Sequence, residues 1–171
     1  MYPSGALSRA AVSVYRFGHW IVYRCRLPVA RQGLWILYRT LDLLVVRIAA
    51  GSYLPARCTI GPGVRIPHAN GIMIHGAARI GADAVIFQQV TVGLRDMQSG
   101  VPTVGDGVIL GAGAKVLGRV TVGDGARVGA NAVVLDDVPP GGVAVGIPAA
   151  VRRWRPVSAA VGTREETPVE V

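Results

Sequence analysis

The sequence predicts a mainly β fold, in which short parallel strands wind into a three-sided solenoid preceded by a short α-helical arm. Aliphatic residues recur on a six-residue grid, a small or β-branched residue stands four positions after most of them, and glycine often follows them directly. The grid comprises Ile74, Ile80, Ile86, Val92, Val104, Leu110, Val116, Val122, Val128 and Val134. A period of six fits strands of a few residues joined by tight turns, with each grid residue pointing inward. Stacked coils would bury these residues as one continuous column.

The arm, residues 1–57, is expected to form two helices between about Ala6 and Ala50, separated by Pro28. Apolar residues recur there at three- and four-residue steps, so the pair needs a surface to cover. There are three candidates for that surface: the chain's own solenoid, a neighbouring subunit, or an anionic membrane facing the arginines of the arm. Those arginines are Arg9, Arg16, Arg24, Arg31, Arg39 and Arg47. The most apolar stretch, residues 33–51, is interrupted by charges and does not predict a transmembrane helix.

The solenoid is expected over residues 58–155, and residues 156–171 are predicted to be a disordered tail. An earlier stretch, Ile60, Ile66 and Ile72, keeps the period of six in another phase. The two-residue shift falls between Asn70 and Ile74, next to His68. Solenoids commonly depart from regularity where they carry a site, so this break draws attention to that histidine.

The overall composition and charge limit the kinds of ligand or macromolecule that the protein is expected to bind. The net charge is +8, and 51% of the residues are hydrophobic, which excludes global disorder. A basic surface can attract nucleic acid, anionic lipid or a polyphosphate cofactor. No nucleic-acid-binding motif is present, so a polyanionic cofactor is the economical interpretation. The two cysteines, Cys25 and Cys58, show no metal-ligand spacing and are interpreted as buried free thiols. No signal peptide is predicted, so we expect a cytoplasmic protein, with the inner membrane face as a further location.

Four runs of sequence carry a family resemblance. They are Tyr15-Arg16-Phe17-Gly18-His19-Trp20, His68-Ala69-Asn70-Gly71-Ile72, Gly111-Ala112-Gly113-Ala114-Lys115-Val116-Leu117-Gly118 and Gly146-Ile147-Pro148-Ala149. With the grid, they resemble the hexapeptide-repeat acyltransferases, which are left-handed parallel β-helices. The narrower likeness is to the serine acetyltransferase branch, which includes short colanic-acid-type polysaccharide O-acetyltransferases. The resemblance implies acetyl-CoA as co-substrate, no metal, and a homotrimer in which His68 of one subunit faces the cofactor coil of the next.

Acetyl transfer from a thioester to a hydroxyl needs a base, donors for the oxyanion, and two substrates held in line. His68 is the candidate base because imidazole titrates near neutral pH. Two further histidines receive other interpretations: His75 should point outward, and His19 should pack and form hydrogen bonds. Candidate acceptor contacts are Asn70, Gln88 and Asp96. Candidate cofactor contacts are Gly93, Gly111, Ala112, Gly113, Lys115, Gly129, Ala130, Gly146, Pro148, Arg152 and Arg153. Backbone amides at residues 111–113 are expected to face the pantetheine arm, and the arginines its phosphates.

The sequence departs from the serine acetyltransferases at the acceptor site. Pro67 stands where they have an aspartate before the catalytic histidine, and Val101 stands where they have a second histidine. An amino-acid acceptor carries an ammonium group that needs a carboxylate, so we expect a sugar hydroxyl in surface polysaccharide or glycan biosynthesis. The alternatives are a serine O-acetyltransferase of cysteine biosynthesis, a non-catalytic scaffold, and a zinc-binding relative of the hexapeptide-repeat carbonic anhydrases.

Overall fold

The computed structural model describes residues 4–26, 28–98 and 100–153, with only the backbone of Val29 and Arg153. A helical arm leads into a left-handed parallel β-helix, as the six-residue grid predicted. The predicted tail at residues 156–171 lies outside the described residues.

The β-helix has three flat sides, each a small parallel sheet. The first side contains β1 (Thr59–Ile60), β3 (Arg79–Ile80), β6 (Thr103–Val104) and β9 (Thr121–Val122). The second side contains β4 (Val85–Ile86), β7 (Ile109–Leu110), β10 (Arg127–Val128), β12 (Gly142–Val145) and the antiparallel β13 (Ala150–Arg153). The third side contains β2 (Met73–Ile74), β5 (Thr91–Gly93), β8 (Lys115–Leu117) and β11 (Val133–Val134). The chain visits the sides in that order.

Every grid residue points into the prism and is at most 2% exposed. Burial of one such aliphatic side chain contributes about 1.5–3 kcal/mol, so the column is the main stabilising element of the fold. Glycine opens many corners because adjacent coils approach closely there. A Cβ on Gly111 would lie 2.6 Å from the backbone nitrogen of Ala130 and 2.8 Å from the carbonyl carbon of Gly129. No larger residue fits that corner without moving the next coil.

A regular coil takes 18 residues, as Thr103 pairs with Thr121. The coil between β5 and β6 is longer, because Thr91 pairs with Lys115, 24 residues further along. Its six extra residues form a loop between Gly93 and Thr103. Because the insertion equals one repeat, the grid resumes in phase after it. Gln98, which interrupts the pattern of aliphatic residues, is an exposed residue of this loop.

The first coil is also longer, by two residues. Arg65 pairs with Val85 at a separation of 20 residues, whereas Met73 pairs with Thr91 at a separation of 18. The two additional residues therefore lie between Arg65 and Met73. This places the phase shift in the turn that contains His68, slightly earlier than residues 70–74, where the sequence pattern located it.

The first helix, α1 (Ala6–Tyr23), packs on the first coil of its own β-helix. The buried Tyr15 hydroxyl donates to the Cys58 carbonyl at 2.9 Å and accepts from the Ile60 amide at 3.0 Å. The Arg16 guanidinium donates to the carbonyl of Ile60 at 2.6 Å. His19 Nδ1 lies 3.0 Å from the carbonyl oxygen of Ala56, which confirms its predicted packing and hydrogen-bonding role. The chain's own β-helix is thus the surface that this helix covers.

The second helix, α2 (Pro28–Leu41), begins at Pro28, where a missing amide costs nothing. It continues as a π-helix over Asp42–Ala49. In that segment the buried Asp42 accepts a hydrogen bond from Arg47 Nε at 2.7 Å. Apolar side chains remain exposed along both segments: Ile36, Leu37, Leu43, Leu44 and Ile48. Within the described residues, no helix is both long enough and apolar enough to cross a bilayer.

Of the two thiols, only Cys58 is fully buried. Cys25, just after α1, is partly buried, which corrects the expectation for that residue. Cys58 lies in the core beneath α1, whereas Cys25 follows the end of that helix. Burial raises the pKa of the Cys58 thiol to about 12, so it is protonated near neutral pH.

Candidate active site

His68 occupies an exposed position in the turn over residues 66–72. The two additional residues of the first coil displace this turn from the regular strand ladder, so its backbone groups need other partners. The Asn70 carbonyl accepts from the Gln89 amide at 2.8 Å, and the Gly71 amide donates to the Ala50 carbonyl at 3.2 Å. The turn is therefore fixed to the second coil below it and to the end of the arm.

Two serine hydroxyls contact the residues on either side of His68. Ser8 in α1 donates to the Pro67 carbonyl at 3.4 Å. Ser52 donates to the Ala69 carbonyl in a short hydrogen bond, and it accepts from the Ile72 amide at 2.9 Å. No sequence pattern singles out either serine. Nothing in the local sequence identifies them, because their partners lie 59 and 17 residues away.

The turn is the top of a stack that runs along the edge between the second and third sides. We call this stack the His68 edge: residues 68–71, 88–89, 111–113, 129–131 and 146–148. Backbone hydrogen bonds join its levels: Gln89 to Asn70 at 2.8 Å, Gly113 to Gln88 at 2.9 Å, Asn131 to Ala112 at 2.8 Å, and Val133 to Gly146 at 3.0 Å. The fold thus brings His68 onto one edge with most of the candidate acceptor and cofactor residues.

Gln88 differs from its neighbours on the edge. Its side-chain oxygen Oε1 is buried and has no hydrogen-bond partner among the described residues. A buried amide oxygen without a donor costs about 1–3 kcal/mol. A ligand or a neighbouring subunit that supplied an N–H or O–H donor would recover that cost.

The amides of the cofactor coil correct part of the expectation from the sequence. The Gly111 amide donates to the Val128 carbonyl and the Gly113 amide to the Gln88 carbonyl, so neither faces a ligand. The amides of Ala112 and Ala130 have no acceptor within the described residues. Ala112 is partly exposed and Ala130 is exposed. The row of available donors is therefore formed by the two alanines.

Comparison with the edge between the first and second sides shows why the amides of Ala112 and Ala130 have no acceptor. Between the first and second sides, the Ala82 amide donates to Asp106 Oδ1 at 2.7 Å, and the Asp106 amide donates to Asp124 Oδ1 at 2.8 Å. Aspartates of successive coils thus occupy the corner amides there. The His68 edge has Ala112 and Ala130 at the corresponding corners and carries no such acceptor side chain.

The remaining cofactor candidates lie at the far end of the edge or beside it. Lys115 Nζ donates to the carbonyls of Gln89 at 2.7 Å and Gly113 at 3.0 Å, so it braces two levels of the stack. Gly146 and Pro148 form the turn between β12 and β13. Arg152 is exposed on β13, whereas the side chain of Arg153 lies outside the described residues.

Gly93 and Asp96 do not lie on the His68 edge. They belong to the loop that leaves the edge between the third and first sides, where the Gly93 carbonyl accepts from the Gly118 amide at 2.9 Å. Asp96 is exposed, and its Oδ1 accepts from the Gln98 amide at 2.9 Å. His75 also lies at that other edge, and its Nδ1 accepts from the Ala77 amide at 3.2 Å. Within one protomer, the fold separates these residues from His68.

Comparisons with known proteins agree with this geometry. Residues 102–136 match the family described as bacterial transferase hexapeptide (six repeats). The serine acetyltransferase of Mycobacterium tuberculosis is 41% identical over 143 residues, which cover 82% of this chain and 58% of that protein. The serine acetyltransferase of Salmonella typhimurium is 37% identical over 146 residues, covering 82% of this chain and 49% of that protein. The chain spans about half the length of the curated relatives it matches.

Solved structures give the same result. A serine acetyltransferase in complex with CoA has a TM-score of 0.68 at 34% identity, over 83% of this chain and 55% of that one. A serine acetyltransferase in complex with cysteine has a TM-score of 0.70 at 35% identity, over 83% of this chain and 56% of that one.

These relatives overturn one interpretation of the sequence. Pro67 and Val101 predict a sugar hydroxyl of polysaccharide biosynthesis as acceptor. That prediction is wrong: relatives 37–42% identical over more than four-fifths of the chain are named serine acetyltransferase. A carboxylate is not the only partner for an ammonium group. A buried amide oxygen, such as Gln88 Oε1, is also an acceptor for N–H donors.

Proposed function

Because the chain belongs to the hexapeptide-repeat transferase family, we propose that it is an acetyl-CoA-dependent O-acetyltransferase with free serine as acceptor. One observation carries the proposal: the likeness to serine acetyltransferases extends over 82% of the chain. A match of that length necessarily includes both the His68 turn and the cofactor coil. The reaction is therefore assigned to the His68 edge.

His68 is the general base. A neutral imidazole nitrogen takes the proton of the serine hydroxyl while the hydroxyl oxygen attacks the carbonyl carbon of the thioester. The tetrahedral intermediate collapses, the carbon–sulfur bond breaks, and the leaving thiolate takes the proton back from His68. The products are O-acetylserine and free CoA. No covalent enzyme intermediate is needed, because the thioester is already activated. The exposed position of His68 at the end of the edge allows both substrates to reach it.

The pantetheine arm of acetyl-CoA lies along the His68 edge. Its amide carbonyls are acceptors, and the free Ala112 and Ala130 amides are donors on successive levels. The small side chains of these two alanines leave room for the arm against the corner. Arg152, exposed on β13, is placed to neutralise a cofactor phosphate at the far end of the molecule.

Serine is held by polar side chains of the His68 edge. Gln88 Oε1 is a buried acceptor without a donor, which suits the serine ammonium group. Asn70, one level above, is exposed beside it and presents an amide to the serine carboxylate. These contacts take the place of the missing carboxylates, at the cost of a weaker electrostatic attraction.

The site is completed by neighbouring subunits of a homotrimer. An edge of a three-sided prism is convex, whereas substrate sites are concave, so one protomer cannot enclose the reactants. A neighbour packed against the His68 edge would supply the second wall. The loop with Gly93 and Asp96 leaves from another edge and can reach the site of an adjacent subunit. Light scattering after size exclusion tests this assembly, and an active monomer would contradict it.

The decisive experiment measures thiol release from acetyl-CoA with and without serine. We expect serine-dependent turnover in the wild type and a loss of 10²–10⁴-fold in kcat for His68→Ala. Thr121→Ala is the control because that side chain is exposed on the first side, away from the His68 edge and outside the loop, and the variant keeps its turnover. Absence of serine-dependent turnover in a wild-type protein that binds CoA contradicts the acceptor. Absence of CoA binding contradicts the whole assignment and favours a scaffold.

A further inference from the structure

We propose that Ser8 and Ser52 are positioning residues for His68. Together they hold the backbone on both sides of the base and thereby fix where its imidazole lies. The proposal rests on the proposed function for its catalytic consequence, but the positioning itself has a separate readout. It also gives the helical arm a role in the chemistry, since Ser8 belongs to α1 and Ser52 follows the π-helix directly.

The need for such residues arises from the two-residue insertion. Regular coils satisfy their backbone through the strand ladder, but residues 66–69, which contain the two-residue insertion, are out of register with the coil below. Buried carbonyls and amides that lose ladder partners must find others. The structure supplies them from outside the β-helix. The Ile66 amide donates to Ser4 Oγ at 3.1 Å, and the Pro67 carbonyl lies 3.5 Å from the Gly5 amide.

The two serines act at the positions adjacent to His68. Ser8 Oγ donates to the carbonyl of Pro67, the residue before it, at 3.4 Å. Ser52 Oγ donates to the carbonyl of Ala69, the residue after it. A buried hydroxyl therefore contacts the peptide unit that precedes His68, and another contacts the peptide unit one residue beyond it, between Ala69 and Asn70. Rotation of either peptide would move the imidazole relative to the edge.

Ser52 makes the larger number of contacts. Besides Ala69, its hydroxyl accepts from the Ile72 amide at 2.9 Å, and it lies 3.0 Å from the Ala50 carbonyl. One hydroxyl thus joins both ends of the four-residue turn that leads from His68 to β2. A carbonyl and an amide that point at the same oxygen fix the width of the turn.

Burial distinguishes these two hydroxyls from those of the other serines and threonines. Ser8 is 2% exposed and Ser52 is 3% exposed. They are the only buried serine or threonine side chains among the described residues, and the other buried residues with a hydroxyl are Tyr15 and Tyr38. Both buried serines therefore contact the residues that flank the candidate base.

The expected catalytic effect follows from geometry. A displacement of a catalytic group by about 1 Å can cost on the order of 100-fold in rate. We expect Ser52→Ala to lower kcat by about 10–100-fold and Ser8→Ala by a smaller factor, because its bond to Pro67 is longer. The cofactor coil is not altered, so the Kd for CoA stays within about twofold of the wild type.

Two controls separate positioning from loss of stability. Val122→Ala removes a fully buried side chain on the first side, away from the His68 edge, and destabilises the fold. Ser13→Ala removes an exposed hydroxyl from the same helix as Ser8. Both controls retain the wild-type kcat at a temperature where all variants are folded. If Val122→Ala lowers kcat as much as Ser52→Ala does, the effect is general destabilisation and the proposal is wrong.

The separate readout is the nuclear magnetic resonance signal of the His68 imidazole, assigned with His68→Ala. We expect its position to shift in Ser52→Ala and Ser8→Ala and to stay unchanged in both controls, and the Ile72 amide to exchange faster in Ser52→Ala. Ser52→Cys, with a weaker donor, should lie between wild type and Ser52→Ala, and it takes over the test if Ser52→Ala does not fold. An unshifted His68 signal in folded serine variants overturns the inference. If the protein does not acetylate free serine but the His68 signal shifts in Ser52→Ala and Ser8→Ala, the proposed function fails and the positioning role stands.

Discussion

The Asn70 carbonyl accepts a hydrogen bond from the Gln89 amide at 2.8 Å, and this contact joins the irregular His68 turn to the regular coils. Above it, the chain is two residues out of register; below it, every level of the His68 edge repeats the same corner. The contact therefore sets the height of the candidate base above the free amides of Ala112 and Ala130.

Filling the edge should block the cofactor. Ala130→Trp places a large ring over the exposed corner where we propose that pantetheine lies, so KM for acetyl-CoA should rise by at least about tenfold. Thr121→Trp is the control, because Thr121 is exposed on the first side, away from the His68 edge and outside the loop between Gly93 and Thr103. Steady-state kinetics with varied acetyl-CoA measure both. Equal KM values for the two variants would place the cofactor elsewhere.

Replacing Gln88 by methionine should separate stability from acceptor binding. The change conserves shape and removes a buried oxygen that has no donor, so the free energy of unfolding should rise by about 1 kcal/mol. At the same time KM for serine should rise several-fold, because the proposed acceptor for its ammonium group is gone. KM for acetyl-CoA should not change. Urea titration and kinetics give the two quantities, and a destabilised Gln88→Met with unchanged KM for serine is the contrary result.

Two glycines should respond to alanine in opposite directions. In Gly111→Ala the new methyl group meets the backbone of the next coil at 2.6 Å, so we expect a loss of about 2 kcal/mol or more. Gly33 lies inside α2 with nothing within 4 Å of a built Cβ. Gly33→Ala should therefore stabilise the protein by about 0.5–1 kcal/mol through helix propensity. Thermal unfolding of both variants tests the pair, and a neutral Gly111→Ala would show that the coils separate easily.

Stability should fall at alkaline pH because of Cys58. Burial raises the pKa of its thiol from 9.0 to about 12. Below pH 9 both folded and unfolded states hold the proton, so the thiol has no effect. Between pH 9 and 12 the unfolded state releases a proton that the folded state keeps, and the free energy of unfolding falls by about 1 kcal/mol per pH unit.

The control for this pH effect is Cys58→Ala, whose unfolding free energy should decline less steeply over the same range. Tyr15 and Tyr38, whose pKa values burial also raises, remain in both proteins, so the variant keeps a decline above pH 10 and loses only the part that Cys58 adds. Parallel curves for the two proteins would show that the thiol is not responsible.

The sequence was sufficient for the fold, because the grid from Ile74 to Val134 encodes the inward face of every coil and each turn uses local residues. It also located His68, through the phase break and the family resemblance. The sequence did not reveal the contacts that hold the turn, because Ser8 and Ser52 find their partners only after the arm packs on the first coil. It misjudged the amides of Gly111 and Gly113 for a similar reason: their acceptors lie on adjacent coils.

The loop between Gly93 and Thr103 has a consequence for how such a protein can change. Its extra length equals one repeat of the core, so the inward column cannot distinguish its presence from its absence. The two extra residues of the first coil show that an insertion need not equal one repeat, because Ile66, Ile72 and Ile74 remain buried around it. The loop can therefore change in length at this edge while the strands on either side of it keep their pairing. A new segment can be grafted there without redesigning the interior.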